Sequence, residues 1–186
     1  MKIPNSLRNR ALLVIDVQPK FLNDRMSYIA GRIDKLISLA PYSLYVEALF
    51  YSEEDSLWKK QSNWSSPKEG NMFTAAPLGS NLQKFNPVQI IKTVRSAFKG
   101  DPELLSILQD HKIEEVHLVG LDTYDCITAT AHEASDLGFF TYVLEECCQA
   151  TTSQELHDRA VANLRQTKLT NNSCIEAIDF LELEVS

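Results

Sequence analysis

The chain has 186 residues, 44% of them hydrophobic, with only 6 glycines and 7 prolines, which predicts one domain over residues 1–186 with a sizeable core. A net charge of -7, without a cluster of lysine and arginine, argues against nucleic acid as a partner. The amino-terminal segment is polar, and nowhere is there an uninterrupted apolar run of about 18 residues. We therefore expect a cytoplasmic protein with no signal peptide and no membrane contact.

The first half of the chain alternates strand and helix patterns. The apolar run Ala11–Ile15 predicts a strand covered on both faces, and it ends unexpectedly at the carboxylate of Asp16. Apolar residues at helical spacing predict a helix over Tyr28–Leu39, and Ser43–Tyr51 is the next predicted strand. The polar stretch Ser52–Leu78 lacks periodicity, and a connection of that length is typical of a functional loop.

The second half continues the same alternation. A β-branched run over Val88–Ile91 predicts a strand that ends at Lys92. Asp101 followed by proline predicts the N-cap of a helix that runs through Gln109. Further strands are predicted at Val116–Val119 and Phe139–Leu144, and capping boxes (Thr152 with Glu155, Ser173 with Glu176) predict two closing helices.

A cysteine lies at one of the strand-to-helix transitions. Gly120 ends a strand, and a polar turn leads to Cys126 at the start of the next helical pattern. The free N–H groups and the dipole at a helix N-terminus favour a thiolate, which predicts a nucleophile with a lowered pKa. The alternative is a small buried hydrophobe, which is how we interpret Cys147 and Cys148, and the absence of a CxxC pair predicts reduced thiols.

Three polar side chains follow strands of the predicted parallel sheet. In such sheets ligands bind at the carboxyl ends of the strands, which is where Asp16, Lys92 and Cys126 are expected. Each has a simple alternative, because Asp16 can cap a loop, Lys92 can be a solvated cation and Cys126 can be packing. Their coincidence at one edge favours a chemical site.

Three segments of the chain resemble the isochorismatase-like cysteine hydrolase family. They are ALLVIDVQPKF, IIKTVRSAF and VGLDTYDCI, which occur in the family's order and at comparable spacing over nearly the whole chain. The resemblance implies a three-layer, Rossmann-like α/β/α sandwich around a mostly parallel six-stranded sheet. It also implies a small-molecule substrate and a homo-oligomer.

The same resemblance implies roles for individual residues. Asp16, Lys92 and Cys126 would form the catalytic triad, and the backbone N–H groups of Asp122 and Cys126 would form the oxyanion hole. The peptide bond before Asp122 would be cis. An aromatic residue at Phe21 would hold the substrate, with Trp64 as a plausible opposite wall, although both rings can equally be ordinary packing.

The chain also departs from the family in ways that narrow its chemistry. Nicotinamidases, a branch of the family, carry histidine metal ligands after the second strand, whereas residues 44–64 of this chain contain no histidine. Residues 53–55 are acidic but consecutive, which indicates a solvated turn, so we expect no metal and no cofactor. Cys126 favours hydrolysis of an amide, carbamoyl or ureido C–N bond over cleavage of a vinyl ether. Because the turn containing Asp122 and Tyr124 is unusual for the family, one alternative stays open: a catalytically silent family member that acts as a binding or interaction protein.

Overall fold

The computed structural model describes residues 9–51, 60–61 and 80–170. The acidic turn at residues 53–55, Trp64 and the predicted final helix lie outside the described residues. So do the other residues of the predicted long loop, apart from residues 60–61.

A twisted six-stranded sheet forms the centre of the fold. Its strands are β1 (Arg10–Ile15), β2 (Leu44–Phe50), β3 (Val88–Lys92), β4 (Gly100–Asp101), β5 (Glu115–Gly120) and β6 (Phe140–Cys148). They lie in the order β4-β3-β2-β1-β5-β6, and all neighbours are parallel except β3 and β4. The strand order reverses between β1 and β5, so the ligand crevice of such a sheet is expected at their carboxyl ends.

Helices cover both faces of the sheet. They are α1 (Tyr28–Leu39), α2 (Ser80–Gln83), α3 (Leu104–Asp110), α4 (Thr128–Asp136) and α5 (Gln154–Gln166). Alternate residues of β1 enter two different cores: Leu12 packs with residues of α1 such as Ile33, and Leu13 packs with residues of α3 and α4 such as Leu104 and Ala131. The predicted three-layer α/β/α sandwich is thereby confirmed. None of the helices in the described ranges is long and apolar enough to cross a lipid bilayer.

Two predicted helix starts are wrong by one or two residues. Asp101 is not an N-cap, because it pairs with Ile91 in the antiparallel strand β4, and the helix begins at Leu104 after the cap residue Glu103. The cap of α5 is Ser153, whose hydroxyl accepts a hydrogen bond from Leu156 N. Thr152, the predicted cap, instead contacts another side chain at the candidate site described below.

One strand is longer than its sequence pattern predicts. β6 extends to Cys148, four residues beyond the predicted end at Leu144, because pairing with β5 is interrupted by an irregularity after Val143 and resumes between Cys148 and Gly120. Cys147 and Cys148 are buried in the core, as expected. The difference is local and leaves the order of the elements unchanged.

Candidate active site

The structure brings the three predicted residues together at the carboxyl edge of the sheet. Asp16 follows β1, Lys92 ends β3, and Cys126 lies in the turn after β5. Lys92 Nζ lies 2.7 Å from Asp16 Oδ2 and 3.3 Å from Cys126 Sγ. The exposed fractions of Asp16, Lys92 and Cys126 are 3%, 0% and 9%, so the cluster is nearly closed to solvent.

The backbone around Asp16 is held in an unusual conformation. Its φ of 55° lies in the left-handed region, which aspartate tolerates better than most residues, and its N–H donates to Ala48 O. Gln18 fixes the adjoining strand end, because its Oε1 accepts from Phe50 N at 2.9 Å and its Nε2 donates to Phe50 O at 3.4 Å. These contacts place the Asp16 carboxylate and the Phe50 ring beside Lys92, whose Nζ lies 4.9 Å from the ring centroid.

A glycine permits the chain to leave β5 close to β1. Gly120 has a φ of 116°, and a Cβ added there would lie 2.1 Å from Ile15 O. The next peptide donates from Leu121 N to Ile15 O at 2.9 Å. The peptide bond between Leu121 and Asp122 is cis, as the resemblance implies.

Cys126 does not begin the α-helix, which corrects the sequence prediction. It lies in a π-helical turn over Thr123–Ile127, and α4 begins only at Thr128. The wider turn is closed by the hydrogen bond from Ile127 N to Asp122 O at 3.1 Å. Single π turns within helices are often found at functional sites because they redirect side chains.

The expectation of a lowered thiol pKa is also wrong. Burial raises the pKa of Cys126 well above its usual value, and the negative charge of Asp16 adds to this effect, which Lys92 only partly opposes. Burial likewise raises the pKa of Asp16 against the influence of Lys92. Burial would lower the pKa of Lys92, but Asp16 and Cys126 outweigh it and raise that pKa. The raised pKa values favour a thiol at Cys126 and an ammonium group at Lys92, and the ion pair with Lys92 Nζ at 2.7 Å favours the carboxylate form of Asp16.

The contacts within the cluster indicate which group accepts the thiol proton of Cys126. Asp16 Oδ2 and Cys126 Sγ both lie against Lys92 Nζ, at 2.7 Å and 3.3 Å, which places the carboxylate and the thiol in one cluster. Lys92 donates to Oδ2, and Oδ1 of Asp16 is buried without a conventional hydrogen-bond partner among the described residues. Asp16 is thus placed to accept the thiol proton when the sulfur attacks an electrophile.

A cavity of about 280 Å³ opens beside the sulfur and the carboxylate. Phe21 and Phe50 line it with ring centroids 6.3 Å apart, so the predicted substrate residue Phe21 lies at the cavity. Its predicted counterpart, Trp64, lies outside the described residues. Sequence reasoning missed Phe50, although its position at the carboxyl end of β2 was a usable signal.

Charged and hydroxyl side chains form the rest of the cavity wall. Arg95 forms an ion pair with Asp125, the residue before the cysteine, and both line the cavity. Tyr124, Thr151 and Thr152 line it as well. Arg95, Thr151 and Thr152 were not predicted here, because the loops that carry them are far from Cys126 in sequence. Tyr124 was noted only as part of an unusual turn.

A second lysine lies near the cluster, behind the aromatic rings. Lys20 Nζ donates to Phe50 O at 3.2 Å and lies 4.6 Å from the centroid of the Phe21 ring. Burial lowers the pKa of Lys20 to about 8. Lys20 is therefore a second cation near Asp16, and it loses its charge at mildly alkaline pH.

The N–H of Asp122, one of the two predicted donors of the oxyanion hole, is available to a developing negative charge. The N–H groups of Thr123, Asp125 and Ile127 donate to backbone carbonyls, whereas no acceptor among the described residues takes the N–H of Asp122. A donor of this kind near the sulfur is what an oxyanion hole requires.

No side-chain cluster suited to a metal ion is found in the described ranges. There, no group of three or more histidine, cysteine, aspartate or glutamate side chains could hold one. The four histidines of the sequence are His111, His117, His132 and His157, and none of them lines the cavity. Within residues 9–51, 60–61 and 80–170, no histidine is therefore placed to hold a metal ion at this cavity.

Comparisons with known proteins agree with this architecture. Residues 10–174 match the isochorismatase domain model. An isochorismatase-like hydrolase from Alkaliphilus metalliredigens is 18% identical with a TM-score of 0.72, over 88% of this chain and 93% of that one. The pyrazinamidase/nicotinamidase of Streptococcus mutans is 20% identical with a TM-score of 0.72, over 87% and 99% of the two chains.

A third solved structure bears on the metal question. The pyrazinamidase of Pyrococcus horikoshii, determined in complex with zinc, is 20% identical with a TM-score of 0.70, over 87% of this chain and 97% of that one. At these identities the structural likeness shows a shared fold. The family match extends over most of the chain, and this protein therefore belongs to the isochorismatase family of hydrolases, enzymes acting on small molecules.

Proposed function

We propose that this protein is a metal-independent cysteine hydrolase that cleaves the C–N bond of a small amide, carbamoyl or ureido compound. The observation that carries the proposal is the contact of Lys92 Nζ with both Asp16 Oδ2 and Cys126 Sγ beside a cavity. Several solved structures of similar fold are named nicotinamidases or pyrazinamidases, which supports an amide as the substrate.

The first half of the reaction forms a thioester. Cys126 Sγ attacks the substrate carbonyl carbon as its proton passes to Asp16, and the carbonyl electron pair moves onto oxygen. The backbone N–H groups of Asp122 and Cys126 donate to that oxyanion. When the tetrahedral adduct collapses, the C–N bond breaks and the leaving nitrogen takes the proton from Asp16.

The second half regenerates the thiol. Asp16, again a carboxylate, removes a proton from water, and the resulting hydroxide attacks the thioester carbonyl. The C–S bond then breaks, the sulfur recovers a proton from Asp16, and the acid product leaves. Lys92 stays protonated throughout and stabilises both the Asp16 carboxylate and the transient thiolate, as its raised pKa permits.

The proposal contains no metal. Hydrogen-bond donors and the Lys92 cation perform the electrostatic task that a Lewis acid would otherwise perform. Metal independence is supported by the sequence, because the first histidine of the chain is His111 and nicotinamidases place their ligands much earlier.

The test is a screen for ammonia release from a library of small amides, ureas and carbamoyl compounds. We expect turnover by the wild type, none above background for Cys126→Ala, and nearly full activity for Cys148→Ala. Cys148 is a matched control, because it is also buried, its Sγ donates to the strand carbonyl Leu118 O at 3.7 Å, and it does not line the cavity beside Cys126.

Two results would contradict the proposal. Turnover that survives in Cys126→Ala would exclude the thioester route. If no compound of the library gave Cys126-dependent ammonia release, the alternative of a catalytically silent binding protein would be favoured.

A further inference from the structure

The turn that carries Cys126 is tied to the segment that follows β6. Gln149 N donates to Gly120 O at 3.2 Å, and Thr123 N donates to Gln149 O at 3.1 Å. We call residues Thr151 and Thr152 the threonine pair. These backbone bonds bring the threonine pair alongside the cis peptide and the π turn, at the wall of the cavity.

Two side chains of the turn also form hydrogen bonds with the threonine pair. The carboxylate of Asp122 accepts hydrogen bonds from Thr151 with both oxygens, Oδ1 from the backbone N–H and Oδ2 from the hydroxyl at 2.7 Å. The Tyr124 hydroxyl lies 3.1 Å from Thr152 Oγ1. Asp122 is thus held across the loop by Thr151.

A carboxylate at this position needs a physical reason. A negative charge near a developing oxyanion raises the energy of the transition state, and burial in addition raises the pKa of Asp122. Alanine or asparagine at position 122 carries no charge and would avoid both costs. The two hydrogen bonds to Thr151 are what the carboxylate contributes in return.

We propose that Asp122 is a positioning residue: its carboxylate, bonded to Thr151, holds the cis peptide and the π turn so that the Asp122 and Cys126 N–H groups converge on the reacting carbonyl oxygen. The inference rests on the proposed function, since it concerns the oxyanion of that reaction. It goes beyond the family resemblance, which assigns only the backbone of Asp122.

The first test compares Asp122→Ala with Asp122→Asn on the best substrate from the amide screen. Asparagine keeps an acceptor for Thr151 N and can donate to the Thr151 hydroxyl oxygen, whereas alanine loses both bonds. We expect kcat to fall about 30-fold in Asp122→Ala with KM changed by less than about threefold, because removing an oxyanion donor altogether costs about 10² to 10³. Asp122→Asn should recover at least half of the wild-type kcat.

The charge and the hydrogen bonds predict opposite results, which makes the comparison decisive. Removing a negative charge near the oxyanion would by itself speed the reaction. A kcat of Asp122→Ala equal to or above that of the wild type would therefore overturn the positioning role. Equal losses in the alanine and asparagine variants would overturn it as well, because the bonds to Thr151 would then be irrelevant.

A second test needs no known substrate. Benzaldehyde forms a hemithioacetal when Cys126 Sγ bonds to its carbonyl carbon, the carbonyl electron pair moves to oxygen, and the thiol proton passes through Asp16 to that oxygen. Iodoacetamide alkylates the same sulfur by displacement of iodide, without an oxyanion. We expect Asp122→Ala to weaken benzaldehyde binding about tenfold and to leave the alkylation rate within about twofold of the wild type.

The two reagents separate failure of the inference from failure of the proposed function. A wild type that is alkylated but binds no benzaldehyde would argue against carbonyl chemistry at Cys126 and so against the proposed function. Equal loss of both reactions in Asp122→Ala would indicate general disorder of the site and overturn the specific role. Asp34→Ala is the matched control for stability, because it removes one side-chain hydrogen bond, from Asn81 at 2.9 Å, away from the cavity.

Discussion

The two ends of strands β1 and β5 both carry buried charge, but only one end has the features of an active site. At the carboxyl end, Asp16 is paired with Lys92 at 2.7 Å. At the amino end, Glu115 Oε1 lies 2.9 Å from both Arg10 Nε and His117 Nε2. The two clusters are similarly buried and occupy neighbouring strands of the same sheet.

The surroundings of the two clusters differ. His117 Nδ1 lies 3.0 Å from the Tyr42 hydroxyl, and the rings of Tyr42 and Tyr142 pack edge-on against the imidazole. The carboxyl-end cluster instead contains a thiol and opens onto a cavity. A buried ion pair alone therefore indicates a structural role, whereas a nucleophile and a cavity beside the ion pair indicate function.

The largest effect on activity is expected from removing a charge at the carboxyl end of the sheet. We expect Asp16→Asn and Lys92→Met each to lower kcat/KM by about 10² or more, because Asp16 carries the protons and Lys92 stabilises its charge. The double variant should be little worse than either single variant. Steady-state kinetics would contradict a shared site if the double loss equalled the product of the two single losses.

The matching substitution at the amino end should affect stability instead. Glu115→Gln removes the buried negative charge that contacts both Arg10 and His117, which we expect to lower the free energy of unfolding by about 3 kcal/mol. Activity per folded molecule should stay at the wild-type level. Denaturant unfolding together with kinetics checks both statements, and a loss of kcat in folded Glu115→Gln would show that the two ends are coupled.

Thiol reactivity sharpens the assignment of the proton acceptor. Because burial raises the pKa of Cys126, we expect alkylation at neutral pH to depend on transfer of the thiol proton to Asp16. We expect iodoacetamide to react about tenfold more slowly with Asp16→Asn than with the wild type at pH 7.

The pH profile of the same reaction provides an internal check. The wild-type rate should fall on acidification through the raised pKa of Asp16, since the protonated carboxyl group cannot accept a proton. A rate that rises only at alkaline pH and is equal in both proteins would instead describe an inert buried thiol.

The smallest effect is expected from removal of metal ions. Dialysis against a chelator should leave amide hydrolysis unchanged, because the proposed mechanism uses only backbone donors, Lys92 and Asp16. Elemental analysis before and after dialysis verifies the removal. Activity that disappears and returns with zinc, iron or manganese would contradict the metal-free mechanism and place the protein beside the zinc-containing relatives.

Much of the fold could be predicted because its signals are local. The spacing of apolar residues predicts α1 with both ends correct at Tyr28 and Leu39. The apolar runs at Ala11–Ile15 and Val116–Val119 correctly predict the strands β1 and β5, which are buried at every position. The helix caps at Asp101 and Thr152 were wrong because each residue has a partner from another element, namely Ile91 of β3 and Tyr124 of the π turn.

Local patterns predict which residues meet, because the carboxyl ends of parallel strands share one edge of the sheet, and Asp16, Lys92 and Cys126 each follow or end a strand there. Only the tertiary structure decided their chemistry. The helix start predicted a thiolate, but burial raises the pKa of Cys126, and burial is a property of the assembled core. The contact between Asp122 and Thr151 likewise exists only because β6 pairs with β5, a neighbour relation that no local pattern encodes.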